Sequence, residues 1–246
     1  MIKSRNDILK LNNCFAEHLL SVQKAKHEPS EEWNEGDTVI LDDSDKPTVL
    51  TKEQADNLNQ EDLEHYLKNR DDITVEKLHD WDSQTTLISS KQTIKDYFYD
   101  ISFALIEITK EHGNLIIMGD WNTPWLNQNN DYPPVLEALN FLKTKIDFDF
   151  NGGFYLTQHE IKEFIPHLFW LTRCNASLPQ FMMSFEKSKT ILNICKNGVL
   201  HFEFYDSIEK HKFLRLFKDM KFIEINSCND PIDFDKMGER QIVADN

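Results

Sequence analysis

Glycine and proline are scarce, 7 and 8 in 246 residues, which excludes collagen-like and linker-dominated architectures. No apolar run approaches the ~18 residues that a membrane span requires. The first residues, MIKSRNDILKLNNCF, lack the apolar stretch and small-residue cleavage site of a secretory signal, so the expectation is a cytoplasmic protein with no membrane association. The four cysteines, Cys14, Cys174, Cys195 and Cys228, are scattered and form no Cys-x-x-Cys pair. Spacing therefore gives zinc and dithiol readings no support, and the expectation is reduced thiols with no metal and no cofactor. GxxxxGK[ST], GxGxxG and GxSxG are all absent, so nucleotide and serine-hydrolase chemistry lacks its usual loops. Ser184 and Ser188, beside Lys187 and Lys189, do not form a Ser-x-x-Lys motif. No repeat recurs at a fixed period.

What is abundant is negative charge and aromatic carbon. The net charge is -15, and 17 Phe with 5 Trp can build a sizeable core. The charge is uneven. Residues 1–90 hold 20 Asp/Glu against 10 Lys/Arg, whereas residues 91–246 hold 22 against 17. Such a surface repels nucleic-acid phosphates and anionic lipid, and favours a basic partner or plain solubility. The densest run is Glu28–Asp45, with eight carboxylates, no basic residue and Trp33 inside it.

Periodicity sets out the elements. Asp7 is placed to cap a helix to about Lys26, with Ile8, Leu11, Phe15, Leu19 and Val22 as its stripe. Thr38–Leu41 suggests a short strand. Thr51 and Gln54 form a capping box before a helix with Leu58 inward, and Leu63, Tyr66 and Leu67 mark a second helical run. Thr74 is placed to cap a short third helix with Val75, Leu78 and Trp81 on one side. Thr93 opens the longest helix, whose stripe is Ile94, Phe98, Ile101, Leu105 and Ile108, and Gly113 fits just past its end. Leu115–Met118 is the first strand that looks buried. Pro133-Pro134 begins a helix carrying Val135, Leu136, Leu139 and Leu142. Asp147–Phe150 alternates as a strand, Asn151-Gly152-Gly153 turns, and Phe154–Leu156 returns. Thr157 and Glu160 form a second capping box, and Pro166 should kink or split the helix behind it. Residues 181–185, 190–195 and 199–205 read as strands, the last two joined at Asn197-Gly198. Ser207 is placed to cap a helix with Ile208, His211, Leu214 and Leu216-Phe217, and residues 221–225 close as a strand. Hairpins joined by helices predict an α+β fold, a helical N-terminal half packed with a mostly antiparallel sheet from the C-terminal half and covered on one face. The expected organisation is one domain over residues 1–246, divisible into an acidic helical part at 1–112 and a sheet-containing part at 113–246.

Three readings of function compete. The acidic run with Trp33, and the Asn-rich loop Trp121–Tyr132 with Trp121, Trp125 and Tyr132, combine aromatics with polar residues as interface centres do. The leading expectation is a non-enzymatic protein that binds a basic protein partner through Glu31, Glu32, Trp33, Glu35, Asp37, Asp42, Asp43, Trp121 and Trp125. The profile is similar to that of the immunity proteins that neutralise bacterial toxins, which implies a toxin as the partner. In the second reading, Met118-Gly119-Asp120-Trp121-Asn122 resembles the GD-x-N element of the endonuclease/exonuclease/phosphatase family. That resemblance implies a metal-dependent phosphodiesterase or nuclease in which Asp120 and Asn122 contact the metal, the attacking group and phosphate. The early acidic metal ligand and the late Ser-Asp-His element of that family have no counterpart. His159, Glu160, Glu163 and His167 share one helix, but Glu163 stands where H-E-x-x-H zinc binding needs histidine. The third reading is a structural or adaptor module whose acidity keeps it soluble.

Overall fold

A computed structural model describes residues 2–40, 47–75, 79–90, 93–128, 130–174, 180–226 and 228. In chain order the elements are β1 (Ile2–Lys3), α1 (Arg5–Leu9), α2 (Asn13–His27), β2 (Thr38–Val39), β3 (Thr48–Val49), α3 (Lys52–Asn69), β4 (Ser83–Ser89), α4 (Ile94–His112), β5 (Leu115–Gly119), α5 (Pro133–Lys143), β6 (Gly153–Leu156), α6 (Gln158–Cys174), β7 (Phe181–Phe185), β8 (Thr190–Ile194), β9 (Leu200–Phe204), α7 (Ser207–Asp219) and β10 (Phe222–Glu224). The fold is α+β, with a helix-rich first half and a sheet drawn mainly from the second. Two compact units divide the chain, residues 1–19 with 73–246, and residues 20–72.

The larger unit is built on an eight-stranded sheet in the order β1-β6-β5-β7-β8-β9-β4-β10. Every neighbouring pair is antiparallel. Strand β5 is buried along its whole length. Leu115 and Ile117 join a core shared with α4, α5, α6 and α7. Ile116 and Met118 are equally buried but lie outside that core, because successive side chains of a strand point to opposite faces. Helix α1 packs against β5 and β6, so the sheet is covered on both faces there rather than on one.

The turn between β7 and β8 ties the layers to the sheet. Asn12 caps α2 through its Oδ1, which accepts from the Phe15 N–H at 2.9 Å. Its amide nitrogen donates to the carbonyls of Phe185 at 2.6 Å and Ser188 at 2.8 Å. From α7, the buried Glu209 carboxylate accepts from the Ser188 hydroxyl, from the Thr190 hydroxyl at 2.6 Å and from the Lys189 N–H at 3.0 Å. From the same turn, Glu186 accepts from the Asn114 N–H at 2.8 Å, just before β5 begins. Gly113, at φ +80°, makes the reversal from α4 into β5, and a Cβ there would lie 2.5 Å from the Glu186 carboxylate.

Several local expectations are corrected. Ser4, not Asp7, caps the first helix, which ends at Leu9. Asn12 then restarts the chain as α2, because its side chain serves the β7–β8 turn. Residues 52–69 form one helix, with Ala55 and Tyr66 inward and Leu63 and Leu67 exposed. Val75 is outside any helix, Leu78 lies outside the described residues, and Trp81 is exposed just before β4. Strand β4 has only Leu87 and Ile88 as apolar residues, and its place between β9 and β10 comes from pairing rather than pattern. In α4, Tyr97 is buried and Phe98 only partly so, its ring 5.2 Å from that of Phe169. Residues 147–150 are a turn, not a strand, and Phe148 is exposed. Gly152 serves close approach instead of a hairpin, since a Cβ there would meet the Lys3 carbonyl at 2.2 Å. Helix α6 runs through Pro166 without splitting. The proline has no N–H for the carbonyl of Lys162, and that residue is exposed to water. Asp206 caps α7 by accepting from Ile208 and Glu209 N–H groups, while Ile208 points outward and Phe213 and Phe217 inward.

The smaller unit holds residues 20–72. Its hairpin β2–β3 is two residues long on each side. Thr51 and Gln54 form the expected capping box. Gln23 and Asp71 bond reciprocally, Gln23 Nε2 to Asp71 Oδ2 at 2.7 Å and Asp71 N–H to Gln23 Oε1 at 3.0 Å. The buried apolar residues described in this unit are Leu50, Ala55 and Tyr66, a small core.

Two substitutions test the turn. Glu209→Ala strands two buried hydroxyl donors and the half-buried Lys189 N–H, and should lower stability by about 3 kcal/mol in urea denaturation. An unchanged midpoint would show that the β7–β8 turn holds without this carboxylate. Gly113→Ala should cost about 1–2 kcal/mol, because a side chain is strained at positive φ.

Candidate functional site

The described part of the acidic run, residues 28–40, lies in the smaller unit. Asn59 and Trp33 exchange hydrogen bonds, Trp33 N–H to Asn59 Oδ1 at 2.7 Å and Asn59 Nδ2 to Trp33 O at 3.0 Å. The Trp33 indole N–H donates to Asp62 on α3 at 3.0 Å, yet the residue remains 38 % exposed. Asp37 accepts from the Asn34 N–H at 2.7 Å and its backbone bonds both Asn34 and Leu50, so this carboxylate shapes the loop. Glu28, Glu31, Glu32, Asp37 and Asp62 line an open groove of about 440 Å³ around Trp33. Glu35 is exposed beside it. Asp42 and Asp43 lie outside the described residues. The 53 residues 20–72 contain 15 Asp/Glu and 6 Lys/Arg, a net of -9 within a chain total of -15.

The second group of expected contact residues does not join the first. Trp125 is a core residue, 2 % exposed, stacked on Phe181 with centroids 4.3 Å apart and donating its indole N–H to the Gly152 carbonyl at 2.9 Å. It is unavailable to a partner, which corrects its assignment as a contact. Trp121 is half-buried, and its carbonyl accepts from Arg5 at 3.1 Å. Asp120 is 3 % exposed at the end of β5. Arg5 also donates to the Gly119 carbonyl at 3.1 Å, so a guanidinium braces this turn. Asn122 accepts from the Asn151 amide at 2.5 Å. Of the α6 residues, His167 stacks on Phe141 at 4.1 Å and Glu163 lies 3.8 Å from Lys145.

A third cluster was not legible in the spacing. Cys195 follows β8, His201 is in β9 on the face opposite Leu200, Phe202 and the core, and Cys228 follows β10. Their ligand-capable atoms lie within 4.8 Å of one another, the one such trio of Cys, His, Asp or Glu among the described residues. The Cys228 sulfur is 3.0 Å from His201 Nε2. Burial pushes the Cys228 thiol up to about 11, and the neighbouring Cys195 adds to the rise. Burial lowers the His201 pKa, because desolvation disfavours the imidazolium. The Asn197 amide holds the Cys228 carbonyl at 2.8 Å, fixing the last cysteine against the β8–β9 hairpin. In the sequence, His201 falls in a strand pattern with Val199, Leu200 and Phe202, which points to a structural role and gives no ligand spacing.

Comparison of the chain with family models, curated proteins and solved structures returns no match.

The two tryptophans separate core from surface. Trp125→Ala should cost about 3–5 kcal/mol of stability. Trp33→Ala should cost roughly 1 kcal/mol or less, since its burial is partial and its backbone bonds survive. Equal losses in thermal or urea melts would overturn the assignment of Trp33 to an accessible surface.

Proposed function

We propose that this chain is a non-enzymatic protein-binding module whose residues 20–72 present an acidic surface to a basic protein partner. The observation that carries the reading is the concentration of charge. A 53-residue unit with a net of -9 carries an exposed tryptophan whose backbone and indole are both hydrogen-bonded in place. An ordered aromatic reduces the entropy lost on binding, and carboxylates of one sign steer an oppositely charged surface towards it. The finer proposal is neutralisation. A basic protein that acts on nucleic acid carries a phosphate-binding face, and a toxin of that kind would lose access to its substrate when this surface covers it. The phosphodiesterase reading centred on Asp120 and Asn122 has less support, because among the described residues no further carboxylates or histidines gather with Asp120 into a cation-sized group.

Affinity capture with the full chain followed by stopped-flow on the captured protein tests this. The association rate should fall about tenfold or more from low to physiological ionic strength. Replacing Glu31, Glu32 and Glu35 together by Gln should slow association several-fold and change dissociation much less. Asp37 is left intact because it shapes the loop. A captured partner whose association ignores both salt and the triple substitution would overturn the proposal.

A further inference from the structure

We propose that Cys195, His201 and Cys228 form a binding site for a thiophilic divalent cation of the zinc class. The geometry comes first. Tetrahedral zinc with Zn–S of about 2.3 Å and Zn–N of about 2.0 Å places its donor atoms roughly 3.5–3.8 Å apart. The three donors here already lie within 4.8 Å of one another, and each comes from a different segment of the sheet end. Small side-chain rotations therefore suffice, with no rearrangement of the strands.

The backbone is positioned for this role. His201 is held by pairing on both sides, opposite Asn193 of β8 and Thr86 of β4. Cys195 begins the β8–β9 hairpin, where its N–H donates to the Val199 carbonyl at 2.9 Å. Cys228 lies beyond β10, tied to the same hairpin through the Asn197 amide at 2.8 Å. A hydrogen bond between Ile225 N–H and the Thr86 carbonyl, 3.0 Å, keeps the chain beside β4 on its way there. Two sulfurs and one imidazole select Zn²⁺ over Mg²⁺ or Ca²⁺, which prefer oxygen. Three protein donors leave the fourth position to water. Bound metal would fasten the chain after β10 to the hairpin, a cross-link of residues 195 and 228 without a disulfide. This role is independent of the acidic surface.

Cobalt titration of the full, reduced and metal-stripped chain reads the site directly. One equivalent of Co²⁺ should bind with a thiolate-to-metal charge-transfer absorption and the visible bands of a tetrahedral ion, and one equivalent of Zn²⁺ should bleach them. Cys195→Ser, Cys228→Ser and His201→Gln should each weaken Zn²⁺ binding by about tenfold or more, since even groups one bond removed from a metal change affinity by about 10–100-fold. Cys14→Ser, remote from the cluster, should leave it unchanged. Zn²⁺ should raise the melting temperature of the wild type but not of the Cys195→Ser/Cys228→Ser double variant, which separates loss of binding from loss of folding. Absence of thiolate charge transfer, or full retention of it in that double variant, would overturn the proposal. So would a reduced protein that takes up no metal yet closes a Cys195–Cys228 disulfide on oxidation.

Discussion

A carboxylate taken out of water must find donors within the protein, and in this chain Glu209 finds them in the β7–β8 turn. The consequence reaches beyond α7. Strands β5 and β7 are buried on both faces, so helices have to be fixed on both sides of the sheet. The turn over residues 185–190 offers its carbonyls to Asn12 and two hydroxyls and the Lys189 N–H to Glu209. One polar turn thus sets the registry of α2's start and α7's start against the same strands. Each partner is specified by side-chain chemistry, whereas apolar packing alone would tolerate sliding.

This explains where the sequence was readable and where it was not. The Thr93 cap and most of the α4 stripe, the β5 strand, the Thr51 capping box and the Asn197-Gly198 hairpin are local signals that the fold keeps. The break at Asn12 answers a demand from residues more than 170 positions away, so no window around it could show it. β4 belongs to the same class. Ser-Gln-Thr-Thr-Leu-Ile-Ser has little apolar alternation, and it is a strand because β9 and β10 offer edges to either side. Residues 147–150 fail in the opposite sense. Their Asp-Phe alternation is that of a strand, but Phe148 has nothing to pack on, and Phe150 turns back to receive the Trp125 N–H.

The candidate sites divide along the same line. Acidity is a compositional property, so Glu31, Glu32 and Glu35 stand out in the sequence, whereas the exposure of Trp33 among them does not follow from composition. Trp125, in an equally polar stretch, is drawn inward because the sheet supplies Phe154 and Phe181 as ring partners. Polarity of the neighbours says little about a tryptophan when its own indole N–H can be satisfied by a buried carbonyl. The Cys195–His201–Cys228 cluster has no compact spacing, because its third member arrives only after α7 and β10 have been laid down.

The smaller unit sets charge against cohesion. Among its described residues the buried apolar ones are few, and polar pairs such as Gln23 with Asp71 and Asn59 with Trp33 hold it. A net of -9 in 53 residues adds self-repulsion to that thin core. Salt screens the repulsion and so favours the folded unit, while the same screening slows encounter with a basic surface. The two effects have opposite sign. A salt-dependent loss of association therefore cannot be produced by salt-induced unfolding of this unit, and it reports the attraction itself. Trp33 is bonded at both its backbone and its indole, so the aromatic stays in place whatever the salt does to the charges around it.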